Sequence, residues 1–249
     1  MTVHFIGAGP GAADLLTLRA VALIAASPVC LYAGSLVPAE MLAHCPANAR
    51  LVDTAALTLD EIVDEFARAD ADGSDVARLC SGDPALFSAV AEQARRLDAL
   101  DIPYDITPGV PAYAAAAAAL GRELTVPGVG QTVILTRIAQ RATPMPQGER
   151  LAELGRTGAT LVLHLAVQAI DDVVAELSPH YGAATPVAVV ANASRPDQSI
   201  VRGTLADIAE QVHAAGIRRT AVIIVGEVLA AAGFRDSHLY SCDRDRGRD

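Results

Sequence analysis

The chain contains no lysine and no tryptophan. All 19 of its permanently basic residues are arginine, set against 29 acidic ones, which leaves a formal charge of −10. A surface with that balance repels a polyphosphate backbone, so nucleic acid is excluded as the main partner while a small anionic ligand stays open. The arginines suit bidentate recognition of carboxylates, although the lack of lysine also fits a chain biased towards Ala and Gly. Cys30, Cys45, Cys80 and Cys242 form no Cys-x-x-Cys pair. His4, His44, His164, His180, His213 and His238 lack ligand spacing, so neither a disulfide framework nor a metal site is expected. His164 lies in an apolar run and reads as a core or pocket-wall residue. No stretch reaches the roughly 18 uninterrupted apolar residues of a membrane span. The N-terminus opens on an apolar strand without the basic segment of a secretory leader, so a cytoplasmic protein with free thiols is the expectation.

What is present is a globular composition: 249 residues, 52% hydrophobic and 19% charged, enough for two domains of modest size. The first strand, Val3 to Ile6, breaks into Gly7-Ala8-Gly9-Pro10-Gly11. Glycine has no Cβ and tolerates positive φ, so such a loop lets a ligand approach the main chain closely. Gly7-x-Gly9-x-x-Ala12 also matches a loose dinucleotide fingerprint. Two features count against NAD. The second apolar run, Val29 to Tyr32, ends in Ala33-Gly34-Ser35 without the carboxylate that would hold a ribose, and Pro10 removes an N–H donor from the loop.

Periodicity predicts strands at Val3 to Ile6, Val29 to Tyr32, Arg50 to Asp53, Val76 to Cys80 and Ile102 to Thr107. Helices are expected from Asp14 to Ala26, Leu36 to Ala43 and Leu59 to Ala69, from the residues after Pro84 to Leu100, and from Ala112 to Leu120. Alternating strands and helices imply βαβ units and a parallel sheet, whose ligands bind beyond the carboxyl ends of the strands. The loops Gly7 to Gly11, Ser81 to Pro84 and Pro108 to Pro111 share that address, and each is expected to feed a helix. The domains are read as 1–125 and 132–242, with a hinge over 126–131 and a charged tail over 243–249. In the second domain, strands are expected at Thr132 to Arg137, Thr160 to Leu165, Val187 to Val190 and Ala221 to Val225, with a β pair around Ser199 to Gly203. Its helices are placed at Glu149 to Leu154, Ala169 to Leu177 and Leu205 to Ala214.

Six stretches in order resemble the tetrapyrrole methylase family. They are Gly7-Ala-Gly-Pro-Gly11 with Leu15-Leu-Thr17, Ser81-Gly-Asp-Pro84, Pro108-Gly-Val110, Glu123-Leu-Thr-Val-Pro127, Ser194-Arg-Pro-Asp-Gln198 with Gly203-Thr-Leu205, and Ile223-Ile-Val-Gly-Glu227. Leu31-Tyr-Ala-Gly-Ser-Leu-Val37 is similar to a branch acting on precorrins, whereas uroporphyrinogen methylases usually carry an acidic residue where Ala33 stands. The resemblance implies two α/β domains with a cofactor cleft between them, S-adenosylmethionine as cofactor, S-adenosylhomocysteine as product, a tetrapyrrole substrate and a homodimer. Carried over position by position, it implies cofactor contacts at Pro10, Gly82, Asp83, Leu86, Pro111, Ala112, Leu165, Ala193 and Ala221. Tyr32, Ser35 and Tyr113 are candidates for contacting the macrocycle, and Arg122, Arg137 and Arg195 for its carboxylates. Asp83 could orient the cofactor or cap the following helix, and Tyr113 could equally be a buried helix residue. Methylation of another tetrapyrrole carbon or of a modified protein histidine, and a non-catalytic adenosyl-nucleotide module, remain open at this level.

Overall fold

A computed structural model describes residues 1–139 and 144–238. Cys242 and the expected 243–249 tail lie outside the described residues. The chain divides into two compact units, Met1–Ala115 with Ala193–Asp197, and Ala116–Asn192 with the described residues from Gln198 onward. The stretch 126–131, read above as a hinge, falls in the second unit, where Val126 N–H donates to Gly130 O at 2.7 Å and closes a turn.

The first unit is built on five parallel strands: β1 (Val3–Gly7), β2 (Val29–Tyr32), β3 (Arg50–Asp53), β4 (Val76–Cys80) and β5 (Tyr104–Thr107). Their order is β3-β2-β4-β1-β5. Helices α1 (Leu18–Ala26), α2 (Ala39–Leu42), α3 (Leu59–Ala71), α4 (Val90–Asp98) and α5 (Ala112–Leu120) follow the strands in turn. Both faces of the sheet are covered, as a parallel sheet requires. Val3 and Phe5 on β1 pack with Phe66 and Leu97 on one face, while Ile6 joins Ala20, Ile24 and Met41 on the other. The Phe5 ring meets Phe66 edge-on at 6.4 Å and Tyr104 at 5.9 Å. Because all five strands run the same way, the loops after them emerge on one rim.

Three helix starts in the first unit differ from the sequence expectation. The run from Asp14 to Ala26 is broken into a 3₁₀ turn, Ala13–Leu15, and α1, because Thr17 adopts extended backbone and its hydroxyl accepts Ala20 N–H at 3.1 Å as an N-cap. After Pro84, α4 begins only at Val90: Phe87 and Ala89 both take left-handed φ of 53°, which no helix accommodates. Asp83 is therefore not the N-cap of α4, a position held by Ala89. The expected helix from Leu36 likewise shortens to α2, and the strand from Ile102 starts at Tyr104.

The second unit carries β6 (Val133–Arg137), β7 (Thr160–His164), β8 (Pro186–Ala191), β9 (Ser199–Thr204) and β10 (Ala221–Val225), with α6 (Leu151–Gly155), α7 (Ile170–Tyr181) and α8 (Ile208–Ala214). The strand order is β6-β7-β10-β8-β9, and only the β6–β7 pair is parallel. Ser199–Thr204 is a single strand paired to β8. The helix expected from Leu205 starts at Ile208, after the Asp207 carboxylate has bound Thr204 N–H at 2.6 Å. Leu161, Leu163, Ile170, Leu177 and Ile223 form the centre of the core.

Candidate ligand-binding rim

At the rim of the first sheet, three strand-end loops pack main chain against main chain. Ala8 N–H donates to Cys80 O at 2.7 Å, while Gly9 and Gly82 exchange two hydrogen bonds, at 3.1 and 2.8 Å. A Cβ on Gly7 would lie 2.9 Å from Gly82 O, and one on Gly109 would lie 2.7 Å from Gly7 Cα. Glycine is required at both by lack of space. Asp83 ties the arrangement together: its Oδ1 accepts Ala85 N–H at 2.8 Å and its Oδ2 accepts Gly109 N–H at 2.9 Å. The carboxylate thus closes its own turn and fastens the β4 loop to the β5 loop.

Most of the implied cofactor contacts gather here. Pro10 and Gly82 are buried, while Asp83, Leu86, Pro111 and Ala112 are half-buried. A Cβ on Gly82 would come 3.6 Å from Ala112 N and 3.7 Å from Pro111 Cα, so these residues are immediate neighbours. Ala193 is buried between Asn192 and Ser194, both of which have positive φ. Leu165 and Ala221 belong to the second unit. Leu165 follows β7 with φ of 56° and is 56% exposed, an unusual state for a leucine. Ala221 pairs with Ala191 at the carboxyl end of β8, because β10 runs antiparallel to its neighbour.

Two of the substrate candidates on the first unit, Tyr32 and Ser35, lie at the end of β2 and in the loop after it. Tyr32 ends that strand half-buried, Ser35 is exposed in the next loop, and Tyr113 is half-buried in the first turn of α5. The loop itself is tightly held. Leu36 and Val37 N–H both donate to Ala33 O, at 2.8 and 3.0 Å, and Gly34 N–H donates to Asp53 Oδ1 at 2.9 Å. Arg195 donates through Nη2 to Leu36 O at 2.6 Å, and Ser194 Oγ accepts Ala12 N–H at 3.0 Å. Arg195 Nε is buried with no hydrogen-bond partner; leaving such a donor unmet costs about 1–3 kcal/mol. In the second unit, Arg122 Nη1 donates to Ala231 O at 3.1 Å. Arg137 donates to Ile138 O at 3.1 Å and Pro144 O at 3.3 Å. All three arginines chosen for substrate carboxylates thus bind main-chain carbonyls, which are obligatory acceptors wherever a loop leaves regular structure.

Asp53 was not singled out from the sequence, where it is only the last residue of a strand. Its carboxylate accepts both Gly34 and Ala55 N–H, each at 2.9 Å, and these bonds hold its pKa below the usual aspartate range. A carboxyl depressed in this way contributes its tie above the unfolded pKa and loses it as pH falls through the lower folded value. The Gly34 amide resonance is therefore expected to titrate with a midpoint below the ordinary aspartate value of about 3.9. In Asp53→Asn that titration should vanish. A midpoint at or above the ordinary value would show that the tie does not form.

Burial raises the Cys30 thiol and pushes Cys80 up to about 11, so both stay protonated at neutral pH. Burial lowers the His164 imidazole in the second unit, favouring its neutral form. Arg78 is buried and bound to neutral partners, Gln93 Oε1 at 3.0 Å and Thr54 Oγ1 at 3.3 Å, which brace β4 from beneath the rim. Among the described residues, no three His, Cys, Asp or Glu are grouped to hold a metal ion, and no helix is long and apolar enough to cross a membrane.

One unit with a parallel sheet whose strand-end loops close on glycine, and a second unit with a mixed sheet, match a known group of enzymes. The chain belongs to the tetrapyrrole (corrin/porphyrin) methylases, whose pattern covers residues 2–209. A precorrin-4 C(11)-methyltransferase from Rhodococcus erythropolis is 64% identical over 246 residues, covering 99% of each chain. The X-ray structure of a cobalt precorrin-4 methyltransferase, a cobalamin biosynthetic enzyme, superposes with a TM-score of 0.89 at 38% identity, over 92% of this chain and 95% of that one. The uroporphyrin-III C-methyltransferase of Thermus thermophilus, complexed with S-adenosylhomocysteine, gives a TM-score of 0.78 at 28% identity, over 92% and 99% of the two chains.

Proposed function

We propose that the protein transfers a methyl group from S-adenosylmethionine to C11 of precorrin-4, giving precorrin-5 in cobalamin biosynthesis. The observation that carries this reading is the 64% identity, across 99% of both chains, to a relative named for that reaction. Relatives named for the cobalt-precorrin-4 reaction are less similar, at 45% and 37% identity, which supports the metal-free substrate over its cobalt counterpart.

The rim suits the cofactor chemically. Gly82 lies against Pro111 and Ala112 with no bulky side chain among the three, and Asp83 places a carboxylate beside them. That charge complements a sulfonium and would oppose a pyrophosphate, and Pro10 adds no donor for one. When bound, S-adenosylmethionine supplies a methyl group made electrophilic by its positive sulfur. The part left to the chain is to hold a ring carbon in line with that methyl and keep both still, so positioning does most of the work. Pro10, Gly82, Asp83, Leu86, Pro111, Ala112, Leu165, Ala193 and Ala221 are assigned to the cofactor, and Tyr32, Ser35 and Tyr113 to the macrocycle.

The test is incubation with precorrin-4 and S-adenosylmethionine carrying an isotopically labelled methyl, with the product analysed by mass and carbon NMR. A single labelled methyl at C11, and inhibition by S-adenosylhomocysteine, are expected. A label at another ring carbon would reassign the substrate, and binding of NAD in place of S-adenosylhomocysteine would remove the methylase reading.

A further inference from the structure

Arg195 joins two loops that are distant in sequence. Its side chain lies across Gly11, where an added Cβ would meet Nε at 2.7 Å and Cδ at 3.1 Å. Its Nη2 donates to Leu36 O, and its neighbour Ser194 receives Ala12 N–H. The loop from Ala33 to Val37 is held on its other side by Asp53 through Gly34 N–H. Residues 193–197 thus form a strap that reaches the glycine loop after β1 and the loop after β2 together.

We infer that Arg195 is a positioning residue, fixing the Ala33–Val37 loop against the Gly7–Ala12 loop, and not a ligand for a substrate carboxylate. The guanidinium geometry argues for this. Both forks through which arginine grips a carboxylate bidentately include Nη2, and one of the two N–H groups of Nη2 is taken by Leu36 O, which fixes where the guanidinium points. The side-on fork also needs Nε, which is buried over Gly11. Gly11, at φ of 155°, has no side chain to push the arginine away, so the close packing is mutual. The inference rests on the proposed methyltransferase reading and deepens it: the β2 loop carries the candidate macrocycle contact Ser35, and the glycine loop carries Pro10.

The test uses Arg195→Leu, which keeps an apolar stem over Gly11 and loses the donor, together with Arg195→Lys, which restores one donor. In methyl transfer, Arg195→Leu is expected to lower kcat about 10- to 100-fold, the scale on which misplacement of reacting groups acts. KM for the tetrapyrrole should change little, and Arg195→Lys should recover part of the loss. In the ligand-free protein, amide hydrogen exchange should accelerate at Leu36, Val37 and Ala12 in Arg195→Leu, with the core of the sheet unaffected. A raised tetrapyrrole KM at unchanged kcat would mean that Arg195 contacts substrate, overturning the inference. So would unaltered exchange in both loops. If Arg195→Leu does not fold, the exchange and kinetic comparison of Arg195→Lys with wild type decides on the same criteria. Should the wild type methylate no tetrapyrrole, the functional reading fails while the exchange data still decide whether Arg195 holds the loops.

Discussion

Gly109→Ala is expected to destabilise the first unit by about 3 kcal/mol or more, the upper range for forcing atoms into a filled interior. The new Cβ would sit 2.7 Å from Gly7 Cα and 2.8 Å from Gly7 C, with Gly82 O closer still. Every one of these neighbours is main chain, so no rotamer change relieves the overlap. Relief would require β1 and β5 to separate at their carboxyl ends, breaking the tie from Asp83 to Gly109 N–H. Gly148→Ala supplies the control, since a Cβ there meets nothing within 4 Å. Urea unfolding followed by circular dichroism would show the Gly109→Ala midpoint well below wild type and the Gly148→Ala midpoint near it. Equal midpoints for the two variants would mean that the three loops are not packed as described.

The second large effect is on ligand affinity. In Asp83→Ala, binding of S-adenosylhomocysteine should weaken by about 10- to 100-fold, equivalent to roughly 1.4 to 2.7 kcal/mol. The carboxylate makes two charge-assisted bonds to main-chain N–H groups, at 2.8 and 2.9 Å, each of a type that contributes about 1.5–3 kcal/mol when buried and less where water reaches. Without them the turn that carries Leu86 is released from Gly109, and the rim no longer holds its shape for the ligand. Asp83→Asn keeps one acceptor and should fall between the two. Calorimetric titration checks this, with the unfolding midpoint measured alongside. An Asp83→Ala protein that binds as tightly as wild type would show that this carboxylate only closes its own turn.

The two effects separate what a sequence reveals from what it conceals. Strands β2, β4 and β10 run over the residues their largely apolar runs indicated, because a buried strand needs an apolar stretch and little else. Gly7, Gly82 and Gly109 stand out as glycines in turn-forming company, and Asp83 as an acid at a strand end. Their resemblance to a family added the cofactor. Asp53 gave no such signal: an acid at the end of a half-exposed strand looks like any solvated residue, and its value comes from Gly34 lying opposite it, 19 positions earlier in the chain. Arg195 was visible as an arginine beside a family motif, but composition does not show that its guanidinium meets Leu36 O. The start of α4 was hidden for a different reason, because nothing in Phe87 or Ala89 announces a left-handed backbone.

The sequence by itself determined the alternation of strands and helices in the first unit, the side-chain-free loops at its rim and the family to which the chain belongs. These follow from local chemistry: apolar periodicity, the missing Cβ of glycine, and short motifs read in order. Only the tertiary structure decided that β1 lies between β4 and β5, that Asp83 fastens one loop to another, and that the strap from Ala193 to Asp197 reaches back to Gly11 and Leu36. Such pairings depend on which segments meet across the fold, and a hydrogen bond spanning 159 positions leaves no trace in the residues beside either partner.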